Sequence, residues 1–246
     1  MVRAAEVPVR MPSAFSGVRV ALLSDLHVGG IHITEDRLRN VVARTNAENP
    51  DLILLGGDYI KHTSLGAIVP PEGYAPILGQ LRAPAGVYAV LGNHDWWWNG
   101  KRVRKALESA GIRVLENESA PVVVRGQTFW LAGIPDEMTQ DPEPAEALSG
   151  VPAGAPIIAL THSPDVFPRV PKRVTLTLAG HTHGGQVRLP LLGAPVVPSR
   201  YGQRYAQGLS VEDGHALFVT TGIGTSILPV RFGVPPEIVI LTLRPH

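Results

Sequence analysis

Short apolar runs closed by polar clusters dominate the first two thirds of the chain. Residues 18–23, 52–55, 87–91, 157–160 and 174–178 are near-continuous Val, Ile and Leu. They are too short for helices and fit strands buried on both faces. Between the first two, Thr34 is a candidate N-cap, Glu35 and Asp36 occupy the first turn, and Leu38, Val41, Val42 and Thr45 share one helical face. A second helix is expected from about Asn99, with Val103, Ala106, Leu107 and Ala110 inward and Gly111 as its stop. A short third helix is expected to start at Asp141, with Pro142 at its first position. Further strand-like runs lie at 122–124, 128–131, 216–220 and 238–243. Strands alternating with helices in the first half predict βαβ units. The strand count favours an α/β fold with two sheets packed face to face and helices outside. The whole chain, 1–246, reads as one domain, with 1–16 an extended N-terminal segment. Residues 188–208 are too irregular for a simple connection and read as a capping loop whose arginines, Arg200 among them, contact substrate.

Composition narrows the chemistry. Hydrophobic residues make up 44% of the chain and the mean hydropathy is +0.11, which excludes intrinsic disorder. Lys plus Arg is 22 against 21 for Asp plus Glu, leaving +1 and no global field for nucleic acid or an anionic membrane. No apolar run approaches the roughly 18 residues that span a bilayer, and no secretory h-region is visible. With 9 His and no Cys, any metal must be held by imidazole and carboxylate, not thiolate.

The polar clusters at the strand ends supply those ligands: Asp25 and His27 after the first run, Asp58 after the second, Asn93 and His94 after the third, His162 after the fourth, and His181 and His183 after the fifth. Ligands of open α/β sheets bind outside the carboxyl ends of the strands, so five strands deliver these groups to one rim. Extended backbone would point Asp25 with His27, and His181 with His183, the same way. Seven ligands drawn from these eight residues are too many for one ion and suit two ions sharing one, with Asp58, alone on its strand, the natural bridge. Paired ions of this kind serve in-line displacement at phosphorus.

Asp25-x-His27, Gly57-Asp58, Gly92-Asn93-His94-Asp95, His162 and Gly180-His181-x-His183 resemble, in order, the five motifs of the calcineurin-like metallophosphoesterase superfamily. The resemblance implies a four-layer α-β-β-α sandwich of two mixed sheets and a binuclear metal centre. By position, Asp25, His27, Asp58 and His183 would hold one ion, and Asp58, Asn93, His162 and His181 the other. His94 takes the place of the non-ligand catalytic histidine. The implied reaction is hydrolysis of a phosphodiester by in-line attack of a metal-bridging hydroxide, with Mn, Zn, Fe or Mg as the metals. The segments 181–190 and 222–233 further resemble a bacterial branch of small phosphodiesterases, the YkuE/YaeI type. Protein Ser/Thr phosphatases carry an Asp three residues beyond the bridging Asp; here that place is Lys61. Purple acid phosphatases put a metal-binding Tyr there, so their iron chromophore is not expected, and Tyr59 does not stand in for it. Members of the branch often carry an N-terminal export or anchor segment. None is visible, so a cytoplasmic location is expected, or an exported or peripheral one if such a segment has been removed.

Around the motifs, Trp96, Trp97 and Trp98 form a run in which one ring is expected to pack with a tethered indole and another to line the cleft. Trp96, Trp97, Arg200 and Arg231 are the candidate substrate contacts, for a small phosphate ester carrying an apolar or aryl group. His32, His62, His215 and His246 read as loop or surface histidines, His32 being close enough to line the cleft. The competing functions are a pyrophosphatase or phosphomonoesterase acting on lipid-linked nucleotide-sugars or nucleotides, and a non-catalytic binding scaffold. No basic, aromatic-interleaved strip supports nucleic acid as a partner. Peripheral membrane association stays open.

Overall fold

The computed structural model describes residues 1–61 and 68–246, so His62 lies outside the described residues. Its strands form two six-stranded sheets. One holds, in order, β1 (Val2–Val9), β12 (Ile238–Pro245), β2 (Arg19–Leu23), β3 (Leu52–Leu55), β4 (Val87–Ala89) and β5 (Arg113–Val114). The other holds β10 (Gly208–Glu212), β11 (His215–Val219), β9 (Leu176–Ala179), β8 (Ile157–Thr161), β7 (Gln127–Ile134) and β6 (Glu118–Val124). Both are mixed. β2 to β5 run parallel, with β12 antiparallel to β2. β7, β8, β9 and β11 run parallel, flanked by antiparallel β6 and β10.

Burial on both faces follows from the pleat. In β2, Val20 and Leu22 enter the core between the sheets, while Ala21 and Leu23 pack under helices. In β8, Ile158 and Leu160 face the same central core, and Ile157 and Ala159 face outward onto Leu148, Val151 and Val166. Helices α1 (Glu35–Ala47), α2 (Pro71–Leu78) and α3 (Asn93–Ser109) cover the first sheet with Leu38, Val42, Tyr74, Leu78, Val103 and Leu107. The second sheet is covered by the four-residue α4 (Pro144–Ala147) and by short 3-10 turns at Pro164–Arg169 and Gly202–Tyr205. This is the expected α-β-β-α sandwich, with a thin fourth layer.

The elements differ from expectation where local signals were weak. Thr34 does cap α1, its hydroxyl accepting from Arg37 N at 3.3 Å. α3 begins at Asn93, six residues before the apolar period becomes visible, and its backbone breaks at Asn99 (φ −174°, ψ 82°). The third helix starts at Pro144, not Pro142, because Asn117 pins the preceding loop through Asp141 O and Glu143 N. α2, with Pro71, Gly73 and Pro76, was not expected, and forms because Tyr74, Ile77 and Leu78 are buried under it. The N-terminal segment is mostly strand: β1 pairs residue by residue with β12, from Val2 opposite Ile238 to Val9 opposite Pro245. No helix among the described residues is long and apolar enough to cross a membrane.

Candidate metal centre

The parallel strands end at one rim, and the polar clusters that close them meet there. Asp25 and His27 follow β2, Asp58 follows β3, Asn93 and His94 open α3 after β4, His162 follows β8, and His181 and His183 follow β9. All eight are buried, none more than 8% exposed. The two spaced pairs do not converge through extended backbone. Asp25 (φ 55°), His27 (φ 45°), Asp58 (φ 57°), His181 (φ 70°) and His183 (φ 51°) are all left-handed, a conformation that costs a non-glycine residue on the order of 1–3 kcal/mol. Cross-strand bonds hold it: Asp25 N donates to Gly57 O at 2.9 Å and His27 N to Asp58 O at 3.0 Å. Two glycines make room. A Cβ on Gly92 would lie 2.3 Å from Asp58 Oδ1, and one on Gly180 would lie 2.0 Å from Ser24 Oγ and 2.5 Å from Asp25 Oδ2.

Asp95 is the residue that the sequence reading left without a role. Fully buried at the third position of α3, it accepts from Asp58 N (2.8 Å), Tyr59 N (2.9 Å), Ile60 N (3.2 Å) and Gly92 N (2.9 Å). It thereby staples the Asp58 loop to the start of the helix. An acid three residues after Gly92, at the head of a helix, is a capping-box signal that could have found it. Tyr59 points away from the rim, its single hydroxyl proton shared between Leu55 O and Val90 O, and Lys61 is buried at 4% exposure.

Ring nitrogens converge in two pairs. His27 Nε2 lies 3.1 Å from His183 Nε2, and His162 Nε2 lies 3.2 Å from His181 Nδ1. Asp58 Oδ2 sits between the pairs, 3.6 Å from His27 Nε2 and 3.3 Å from His162 Nε2. Asp25 Oδ1 is 3.4 Å from His183 Nε2. The groups Asp25–His27–His183, His27–Asp58–His94 and Asp25–Asp58–His162 each place three ligand atoms within 4.8 Å of one another. His162 is oriented by Nδ1 against Gly56 O at 2.7 Å, which turns Nε2 to Asp58. Buried Asn93 Oδ1 accepts no hydrogen bond among the described residues. Facing lone pairs and an unsatisfied buried amide oxygen are what a shared cation would satisfy. The donor set therefore fits metal.

The protonation states of the cluster divide, and His162 must give up a proton before it can ligate. Burial pushes His27 and His181 down to about 3, keeping both neutral and able to ligate. Burial also raises Asp25 to about 6 and Asp95 to about 7, in each case with the Asp58 charge adding to it. For Asp58, burial is overridden by the charge and hydrogen bond of His162, then by His94 and His27, and its carboxyl lies well below the usual range. His162 is carried well above its ordinary value against burial, by Asp58, Asp25 and Asp136. Asp136, fully buried beyond β7, was not singled out from the sequence. Without a cation, the cluster is a crowd of buried acids and bases.

The structure separates the four candidate substrate contacts. Trp97 is 49% exposed, its ring 5.0 Å from that of His94. Trp96 packs along Gly100 and donates from Nε1 to Glu116 at 3.0 Å, so it supports α3 instead of meeting the cluster. Arg200 is engaged by Glu137 and Asp165. Arg231 donates to Gly224 O and Thr221 O, both at 2.8 Å, and to His183 Nδ1 at 3.0 Å. It braces a ligand candidate and a loop. The second half of 188–208 packs on the second sheet, Tyr205 meeting Phe167. His32 bonds Pro229 O through Nε2 at 2.8 Å, and His215 is buried against Phe167, not a surface residue. Ser226, unremarked in the sequence, brings Oγ within 3.3 Å of His94 Nε2.

The chain is similar in sequence and fold to known proteins. Residues 18–185 match the calcineurin-like phosphoesterase family. The chain is 33% identical over 237 residues to metallophosphoesterase YkuE of Bacillus subtilis, covering 95% of this chain and 82% of that protein. It is 32% identical over 235 residues to phosphodiesterase YaeI of Escherichia coli, covering 92% and 82%. Among solved structures, a 5'-nucleotidase precursor of Thermus thermophilus superposes with a TM-score of 0.51 at 17% identity, over 82% of this chain and 48% of that one. The chain thus spans about half of that structure, and the likeness speaks for the fold. The chain belongs to the calcineurin-like phosphoesterase family and is a metal-dependent phosphoester hydrolase.

Proposed function

We propose that the protein hydrolyses phosphodiesters at a centre built for two metal ions. Asp25, His27, Asp58 and His183 would hold one, and Asp58, Asn93, His162 and His181 the other. The observation that carries this is the pair of nitrogen contacts flanking Asp58, 3.1 Å for His27 with His183 and 3.2 Å for His162 with His181. A nitrogen and oxygen donor set suits Mn, Zn or Fe, and Mg less, since Mg prefers oxygen. When bound, such a pair supplies charge neutralisation and a nucleophile at neutral pH. His94, with Nε2 4.0 Å from Asp58 Oδ2 and 3.3 Å from Ser226 Oγ, holds the proton that the leaving oxygen takes up. Trp97 forms an apolar wall beside it, suited to an aryl or alkyl leaving group.

The relative YaeI is named a phosphodiesterase, which supports the same substrate class here. The test is turnover of matched aryl phosphomonoesters and phosphodiesters after reconstitution with Mn, Zn, Fe or Mg. Faster diester turnover is expected, and equal rates would overturn the preference.

A further inference from the structure

Segments 186–196 and 223–233 lie side by side at the mouth of the centre. Arg188 N donates to Phe232 O at 2.7 Å, Phe232 N to Gln186 O at 3.0 Å, and Gln186 Nε2 to Leu228 O at 2.8 Å. Their turns project Leu191, Leu192, Ile227, Leu228, Val230 and Phe232 into solvent, with exposures from 52% to 107%. Such a patch amounts to roughly several hundred Å² of apolar surface, the size that marks a contact site on a soluble protein. It adjoins the centre, since Ile227 follows Ser226, whose Oγ touches His94. Half-exposed Trp97 also touches His94.

Shape and charge select the occupant. Leu191 heads a turn closed by Leu189 and Gly193 and is fully clear of its neighbours, at 107% exposure. A folded partner would need a matching socket, whereas a fluid interface receives projecting tips of any shape. Neither segment contains an Asp or Glu, although the chain has 21 acidic residues; of their two cations, Arg231 turns inward onto Gly224 O, Thr221 O and His183, which leaves Arg188 beside the turns. An apolar tip with a cation beside it and no acids in either segment complements an anionic headgroup layer, and a half-exposed Trp suits the same interface.

We propose that this rim docks on an anionic lipid bilayer, with the turns at 189–193 and 226–232 entering the headgroup region and the mouth of the centre facing it. Docking needs no turnover, so it stands or falls apart from the phosphodiesterase reading. The test is cosedimentation of the full chain with vesicles of phosphatidylcholine alone or mixed equally with phosphatidylglycerol. The wild type is expected to pellet with the anionic vesicles, and Leu191→Ser/Leu192→Ser to weaken that binding about tenfold or more. The same variant should keep its melting temperature and its turnover of a soluble aryl phosphodiester. Wild-type protein left in the supernatant with both vesicles would overturn the proposal, as would undiminished binding by the variant. Sedimentation velocity showing a wild-type dimer that the variant loses, without vesicle binding, would assign the patch to a second copy instead.

Discussion

Replacing Asp95 with Asn tests how the left-handed Asp58 is held. The carboxylate accepts four backbone N–H groups, Asp58 and Gly92 at Oδ2 and Tyr59 and Ile60 at Oδ1. An amide keeps one acceptor oxygen and turns an NH2 group toward two of those donors. Each buried N–H left unpaired costs roughly 1–3 kcal/mol, and the surviving bonds lose their charge assistance. Burial and Asp58 hold Asp95 up at about 7, so removing its charge offsets part of the loss. The net expectation is about 3 kcal/mol, or a fall in Tm of ~6–12 °C for a domain of this size. Because all three loop donors, Asp58 N, Tyr59 N and Ile60 N, hang on this one side chain, metal affinity and turnover should fall with stability. The assays are a thermal melt and diester turnover at saturating Mn. A melting temperature within about 2 °C of wild type with full turnover would refute the staple.

Other consequences are as direct. Gly180→Ala drives a Cβ to 2.0 Å from Ser24 Oγ and 2.5 Å from Asp25 Oδ2; it should destabilise by about 1–3 kcal/mol and weaken metal binding. Gly150→Ala, with nothing within 4 Å, should do neither, and denaturant melts with metal titration compare the two. His94→Ala should lower kcat by roughly 10²–10⁴ with bound metal unchanged by mass spectrometry; loss of metal would make His94 a ligand instead. The rise in Tm on adding Mn should be larger at pH 8 than at pH 5. His27 and His181, lowered to about 3, cost the metal-free fold stability as pH falls below their ordinary range. Asp25, raised to about 6, costs it stability as pH rises through that value, and a cation relieves this strain only where Asp25 is ionised. An increment independent of pH would contradict that sign.

Much of the site was legible because each buried strand announces itself as an apolar run and each ligand candidate closes one. The Asp25, Asp58, Asn93, His162 and His181 clusters could be placed on one rim from that pattern alone. The sandwich followed from strand count and family resemblance. What the sequence did not disclose depends on tertiary contact. Five left-handed residues converge because neighbouring loops bond their backbones, a condition that no local propensity signals. Asp95 works through the N–H groups of residues 58–60, far along the chain. The tryptophans divide by helix face, and α3 hides its first turn behind a polar motif. α2 forms against its own Gly and Pro because Tyr74 and Leu78 are buried beneath it. His215 reads as a loop residue until Phe167 packs on it.

The most direct test is metal content and turnover measured on the same preparations of wild type and Asp58→Asn. The account predicts two ions per wild-type chain, diester turnover that rises with occupancy and vanishes on chelation, and loss of both ions and turnover in the variant. Turnover by metal-free protein, or full metal content in Asp58→Asn, would contradict it.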